Sequence, residues 1–130
     1  MNLVHIASRL AWDEAGRLGG YAPASLESEG FIHCSTAEQT LPVASRFFRG
    51  QTGLVLLVVD PSRLTSTLKW EPPAEGSPPP GLPADARFPH IYGPLNLDAV
   101  VQVLDFEPDA NGEFSLPAAL LDHRTSKAEG

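Results

Sequence analysis

The chain has 130 residues, 42% of them hydrophobic, a single cysteine and a formal charge of -7 at pH 7. That length suits one hydrophobic core but not two. A lone thiol excludes an intramolecular disulfide and any zinc site built on two or more cysteine sulfurs. Scattered Lys and Arg, nine against sixteen acidic residues, oppose the clustered phosphate neutralisation that nucleic-acid binding needs, so a nucleic-acid partner is not expected.

In chain order, Leu3 to Ala7 reads as a short apolar strand, and Ser8 as the cap of a helix running to about Leu18. Leu10, Ala11, Ala15 and Leu18 form that helix's expected apolar face, Trp12 packs at its edge, and Gly19-Gly20 stop it. Tyr21 to Glu29 is mixed and turn-like. Gly30-Phe31-Ile32-His33-Cys34 is a second strand ending at Ser35-Thr36, where Thr36 with Gln39 three residues on suits a capping box. The helix so opened carries Leu41, Val43, Ala44, Phe47 and Phe48 on its apolar face, with Pro42 expected to kink or restart it.

Leu54 to Val59, the longest apolar run, has the composition of a central strand buried on both faces. It is far short of the roughly 20 apolar residues that span a bilayer. Thr65 to Trp70 alternates as a strand and ends in Glu71-Pro72-Pro73. From Pro72 to Pro89 seven of the 13 prolines crowd one segment, a composition that cannot continue a ladder or a helix. A loop that long inside a small domain is commonly a lid or a binding loop. Phe88 to Tyr92 re-enters the fold, Asn96 to Ala99 suits a helical turn, and Val100 to Phe106 is a strand. Asp109-Ala110-Asn111-Gly112 is a hairpin turn leading to a strand at Glu113 to Leu116. Residues 1–121 form the expected domain, and 122–130 a flexible tail. Met1 to His5 lacks the basic residue and apolar stretch of a secretory signal, so a cytoplasmic location without a membrane is expected. Helices early and most strands late describe an α+β domain with two main helices in its first half.

Four segments carry chemistry. His5 lies mid-strand, opposite in facing to Val4 and Ile6. A histidine, two hydroxyls and a helix start, His33 with Ser35 and Thr36, make a cradle for phosphate or ribose, although Ser35 and Thr36 also suit simple capping. Cys34 could act as a nucleophile lowered by the helix dipole with a histidine as base, or serve as a small buried apolar group. Glu71 ends a strand beside Trp70, where a carboxylate can meet developing positive charge or merely face solvent. His90 and Tyr92, two apart on an extended piece, face the same way. The three histidines and Glu71 are metal-ligand types, but no spacing such as HExxH joins them, and no metal is expected.

The strings Gly30-Phe31-Ile32-His33-Cys34-Ser35-Thr36, Lys69-Trp70-Glu71 and Phe88-Pro89-His90-Ile91-Tyr92-Gly93, following an early strand histidine, resemble the uncharacterised bacterial domain-of-unknown-function family 952 over roughly residues 2–116. That family looks like a compact relative of the ADP-ribosyltransferase fold, which implies a curved mixed or antiparallel sheet of split-barrel type. In the resemblance His5, then His33 with Ser35 and Thr36, then Glu71 match a three-part signature. It implies NAD as co-substrate, bound as a small nucleotide by His5, Tyr21, His33, Cys34, Ser35, Thr36, His90 and Tyr92, with Glu71, His33 and His5 catalytic. The position two before Glu71 is Lys69, where arginine-modifying members carry a glutamate, so arginine modification is not implied. A non-catalytic nucleotide-binding or regulatory domain on the same fold is the second reading, and a metal- or Cys-dependent hydrolase using His33 and Cys34 the third. The acceptor of any transferred group is left open.

Overall fold

The computed structural model describes residues 1–74 and 76–120, so the tail expected over 122–130 lies outside the described residues. Its centre is the strand the composition marked. β3, Leu54–Val59, has all six side chains buried, each contributing about 1.5–3 kcal/mol of burial. It pairs antiparallel with β1, Leu3–Ser8, on one side and with β6, Val100–Phe106, on the other.

Because side chains alternate along a strand, this sheet divides the interior in two. Leu3, Ala7, Val55, Leu57 and Val59 pack on one face with Tyr21, Ile32, Cys34, Ile91 and Leu95. Val4, Ile6, Leu54, Leu56 and Val58 pack on the other with Ala37, Ala44, Phe106, Phe114 and Leu120.

A second three-stranded sheet has β5, Phe88–Tyr92, at its centre, between β2, Ile32–His33, and β4, Thr67–Glu71. The two sheets meet where the chain leaves β2. Ser35 and Val4 exchange both backbone hydrogen bonds at 2.8 Å, and the Cys34 amide donates to the Pro89 carbonyl. The α+β class holds, with the sheets purely antiparallel rather than mixed. They do not close into a barrel: among the described residues β6 pairs only with β3, and β4 only with β5.

Helix α1, Arg9–Leu18, starts where expected: the Ser8 hydroxyl accepts from the Ala11 amide, and Gly19 at φ 85° ends the helix in the left-handed region that only glycine enters at little cost. Its buried face differs from the expected one. Ala15 is buried and Trp12 packs against the core, whereas Leu10 and Leu18 are 83% and 73% exposed. The reason is tertiary. Tyr21 is fixed by its backbone exchange with Leu95 and stands 6.3 Å from the Trp12 ring, which turns the Trp12 side inward.

The stretch expected to be turn-like contains α2, Ala24–Ser28. α3, Ala37–Phe47, has both arms of the capping box and runs unbroken through Pro42. The bond Pro42 cannot donate would have gone to the carbonyl of Glu38, which sits on the exposed side of the helix, so its loss brings little desolvation cost. Single 3-10 turns occupy Pro61–Arg63 and Leu97–Ala99. The Asp109 turn forms, its carboxylate accepting from the Asn111 and Glu113 amides. The strand expected at Glu113 to Leu116 does not, because among the described residues no strand lies alongside it to complete a ladder.

Candidate functional site

The register of the second sheet sorts its residues. Ile32, Ile91 and Leu68 align across the strands and point into the core. One residue along, His33, His90 and Lys69 align, with Phe88 opposite Glu71 and Tyr92 opposite Thr67. The face away from the core therefore gathers His33, His90, Tyr92, Glu71 and Lys69, which lie far apart in sequence.

Glu71 and His90 are the centre of that group. The His90 Nδ1–H donates to Glu71 Oε1 at 2.7 Å, and the Tyr92 hydroxyl donates to the same oxygen at 2.6 Å. The hydrogen bond from Tyr92, then that from His90, lower the Glu71 pKa below the usual carboxylate range, so Glu71 is an anion at neutral pH. The same bond raises that of Tyr92. His90 is almost wholly buried, while the Glu71 side chain is 32% exposed. Phe31 is the hub of the surrounding rings: it stacks on His90 with centroids 4.2 Å apart and touches His33 at 4.7 Å and Tyr92 at 5.3 Å. His33 meets His90 edge-on at 5.6 Å and donates from Nε2 to Glu29 at 3.1 Å. The Lys69 ammonium lies over the Tyr92 ring at 4.7 Å.

His5 belongs to a different environment. Its Nδ1 lies 2.5 Å from the His33 carbonyl, which can only accept, so Nδ1 carries the proton and Nε2 accepts from the Tyr21 hydroxyl at 2.8 Å. Burial is the largest influence holding its pKa down to about 4, and burial likewise pushes Tyr21 up to about 12. Both ring nitrogens of His5 and the Tyr21 hydroxyl are thus engaged within the protein. These two residues brace the backbone of β2 beneath the site.

A cavity of about 250 Å³ opens between the two sheets, the end of α3 and the proline-rich loop. His5, His33, Cys34, Ser35, Phe88 and His90 line it from the sheets, together with Val43, Phe47 and Phe48 at the end of α3 and Pro73, Ala74, Ser77 and Pro79 from the loop. The loop is thus a wall of the cavity, and the Gln39 side chain ties its return by donating to the Arg87 carbonyl at 2.8 Å. Glu71 does not line the cavity; it stands behind His90.

Thr36 is spent on structure, its hydroxyl accepting from the Gln39 amide. Cys34 packs in the core, where burial pushes its thiol up to about 12, the direction opposite to the one that activates a cysteine nucleophile. No group of three or more His, Cys, Asp and Glu able to hold a metal occurs among the described residues, and no described helix is long and apolar enough to cross a membrane. Phe31 and Glu29 do not stand out in the sequence as site residues, and Lys69 stands out only as the position two before Glu71. The i, i+2 spacing of Phe31 and His33, repeated in His90 and Tyr92, was the signal that the rings share a face.

Three solved structures resemble the chain along nearly its whole length, all of protein CC0527 from Caulobacter crescentus. The crystal structure is 37% identical, with a TM-score of 0.79, covering 93% of this chain and 99% of that one. That of a double mutant is 36% identical, with a TM-score of 0.78 and the same coverage. The solution NMR structure is 38% identical, with a TM-score of 0.69, covering 85% and 89%. No curated protein matches the chain. Residues 6–103, which hold β2 to β5 with His33, Glu71 and His90, match the family described as "Protein of unknown function (DUF952)", and the chain belongs to that family.

Proposed function

We propose that the chain binds NAD or a closely related nucleotide and acts at the nicotinamide–ribose bond, as an ADP-ribosyl transferase or NAD glycohydrolase. What supports the reading above all is Glu71: an anion fixed by Tyr92 and His90, partly exposed, and bonded from behind to His90, which lines the cavity. That cavity is smaller than the roughly 300–1,000 Å³ of pockets that enclose a whole ligand. It suits one ring, the nicotinamide, with the ribose at its rim and the rest of the nucleotide outside.

Breaking the bond between nicotinamide and ribose builds positive charge on the ribose, and a fixed carboxylate close by stabilises it. Both observed bonds fall on Oε1, so Oε2 is the oxygen to meet the ribose 2′-hydroxyl. Ser35 and His33 would frame the sugar from the cavity wall, and the loop wall would limit water. Incubating wild-type and Glu71→Gln protein with NAD and quantifying nicotinamide by chromatography tests this. The substitution should lower release by about 10²- to 10³-fold while affinity changes only a few-fold, and equal release by both proteins would refute the role of Glu71.

The engagement of both His5 nitrogens favours a second reading, a nucleotide-binding domain without turnover. Its signature is NAD binding in wild type and Glu71→Gln alike, with no nicotinamide from either.

A further inference from the structure

Three histidines line the cavity, and their surroundings separate them. Both nitrogens of His5 are engaged. His33 has a side chain 42% exposed and turns Nε2 to Glu29, itself on the surface, so that pair is screened by water. His90 is held from behind: Glu71 takes the proton of Nδ1, Tyr92 steadies Glu71, and Phe31 lies flat on the ring. No buried side-chain polar atom among the described residues lacks a partner. His90 lines the cavity, and with Nδ1 engaged by Glu71 its Nε2 is the ring nitrogen left to serve a ligand there. A carboxylate behind one nitrogen and open space before the other is the arrangement that fixes an imidazole as proton acceptor.

We propose that His90, oriented by Glu71, accepts the proton of an oxygen nucleophile, water or an alcohol hydroxyl, that attacks the ribose carbon. The inference rests on the NAD reading above and specifies its acceptor class. In the step, the ribose–nitrogen bond breaks with its electron pair passing to the nicotinamide nitrogen, which loses its formal positive charge. The nucleophile's oxygen bonds the ribose carbon and its proton passes to His90 Nε2. The resulting imidazolium is balanced by the Glu71 carboxylate, and the proton then leaves to solvent. A cationic acceptor is disfavoured because Lys69, opposite His90 in the strand register, already places an ammonium over Tyr92.

The groups facing His90 on its own face of the sheet are Glu71, Lys69 and Tyr92, and His33 on the neighbouring strand, backed by Glu29. Cys34 and His5 share the cavity. Protonating the imidazole removes its acceptor, so turnover should depend on the protonation of this ring.

The test uses wild-type and His90→Gln protein with NAD in water and in water containing methanol, following NAD binding by calorimetry and products by mass spectrometry. The proposal expects hydrolysis in water and a methyl ADP-ribose adduct with methanol. His90→Gln should bind NAD within a few-fold but lose both products by about 10²-fold or more, together with the acid limb of the pH–rate profile. Undiminished turnover and an unchanged pH profile in His90→Gln would overturn the proposal while leaving the NAD reading intact. Wild-type binding without either product would overturn it in favour of a binding domain, and no binding at all would overturn both. Should His90→Gln fail to fold, 15N-histidine NMR of the wild type gives the decision: the Nδ1–H tautomer titrating with the acid limb supports the role, and the Nε2–H tautomer excludes it.

Discussion

At the scale of single residues, the folded chain keeps one histidine neutral at a cost in acid. His5 has its pKa lowered to about 4 from 6.5, and a histidine depressed in the folded state stabilises it less as pH falls, because the unfolded chain binds the proton first. The stability is complete above pH 6.5 and is lost between there and about pH 4. At about 1.4 kcal/mol per pH unit, the loss by pH 4.5 should be about 2 kcal/mol. Urea titrations at pH 7 and pH 4.5 measure it, and His5→Gln should abolish most of the difference. Glu71 and Asp60, whose pKa values are lowered, act in the same sense but in a lower window: their contribution is present above the usual carboxylate range and is lost as pH falls through it, so they account for little of the change between pH 7 and pH 4.5. The sequence exposed His5 as chemically interesting because of its strand position. It could not reveal that Tyr21 would be its partner, since the two meet only once the segment after α1 is drawn to Leu95.

Among the elements, α3 links the fold to the site most directly. Gln39 completes the capping box with its side-chain oxygen and ties the loop with its nitrogen, so it serves the helix start and the cavity wall together. Thr36→Ala should cost about 1 kcal/mol of stability through the lost cap and leave NAD affinity little changed. Gln39→Ala should cost a similar amount and also weaken NAD binding, because the loop return at Arg87 loses its tether. Thermal melts and calorimetry separate the two. This cap was legible in the sequence because Thr36 and Gln39 lie within one turn of each other and need no distant partner. The apolar face of α1 was legible in part: Ala15 is buried and Trp12 packs against the core as expected, but Leu10 and Leu18, at the same helical spacing, are exposed, because Tyr21 draws the Trp12 side inward from outside the helix. The strand expected at Glu113 to Leu116 failed for the same kind of reason, since a strand needs a neighbour to pair with.

Across the whole molecule, the two sheets are one structure because Val4 and Ser35 join them and Leu3, Ile32, Val55 and Ile91 share a core. A chain built this way should unfold in one transition, with tryptophan fluorescence and far-ultraviolet dichroism giving coincident urea curves; separated midpoints would mean that the sheets unfold independently. The central strand and the order of elements were readable from β3, whose unbroken apolar run has no other reading at that length. His33, Glu71, His90 and Tyr92 were readable only as separate candidates and Phe31 not at all, because their grouping depends on the β2–β5–β4 register and no local pattern encodes which strands become neighbours. The central claim is that these residues and the cavity beside them form one ligand site, and titrating NAD into 15N-labelled protein while following backbone amides tests it most directly. Shifts should concentrate at Ser35, Phe48, Ala74 and His90, which surround the cavity from four separate segments; shifts confined to one segment, or none at saturating NAD, would contradict it.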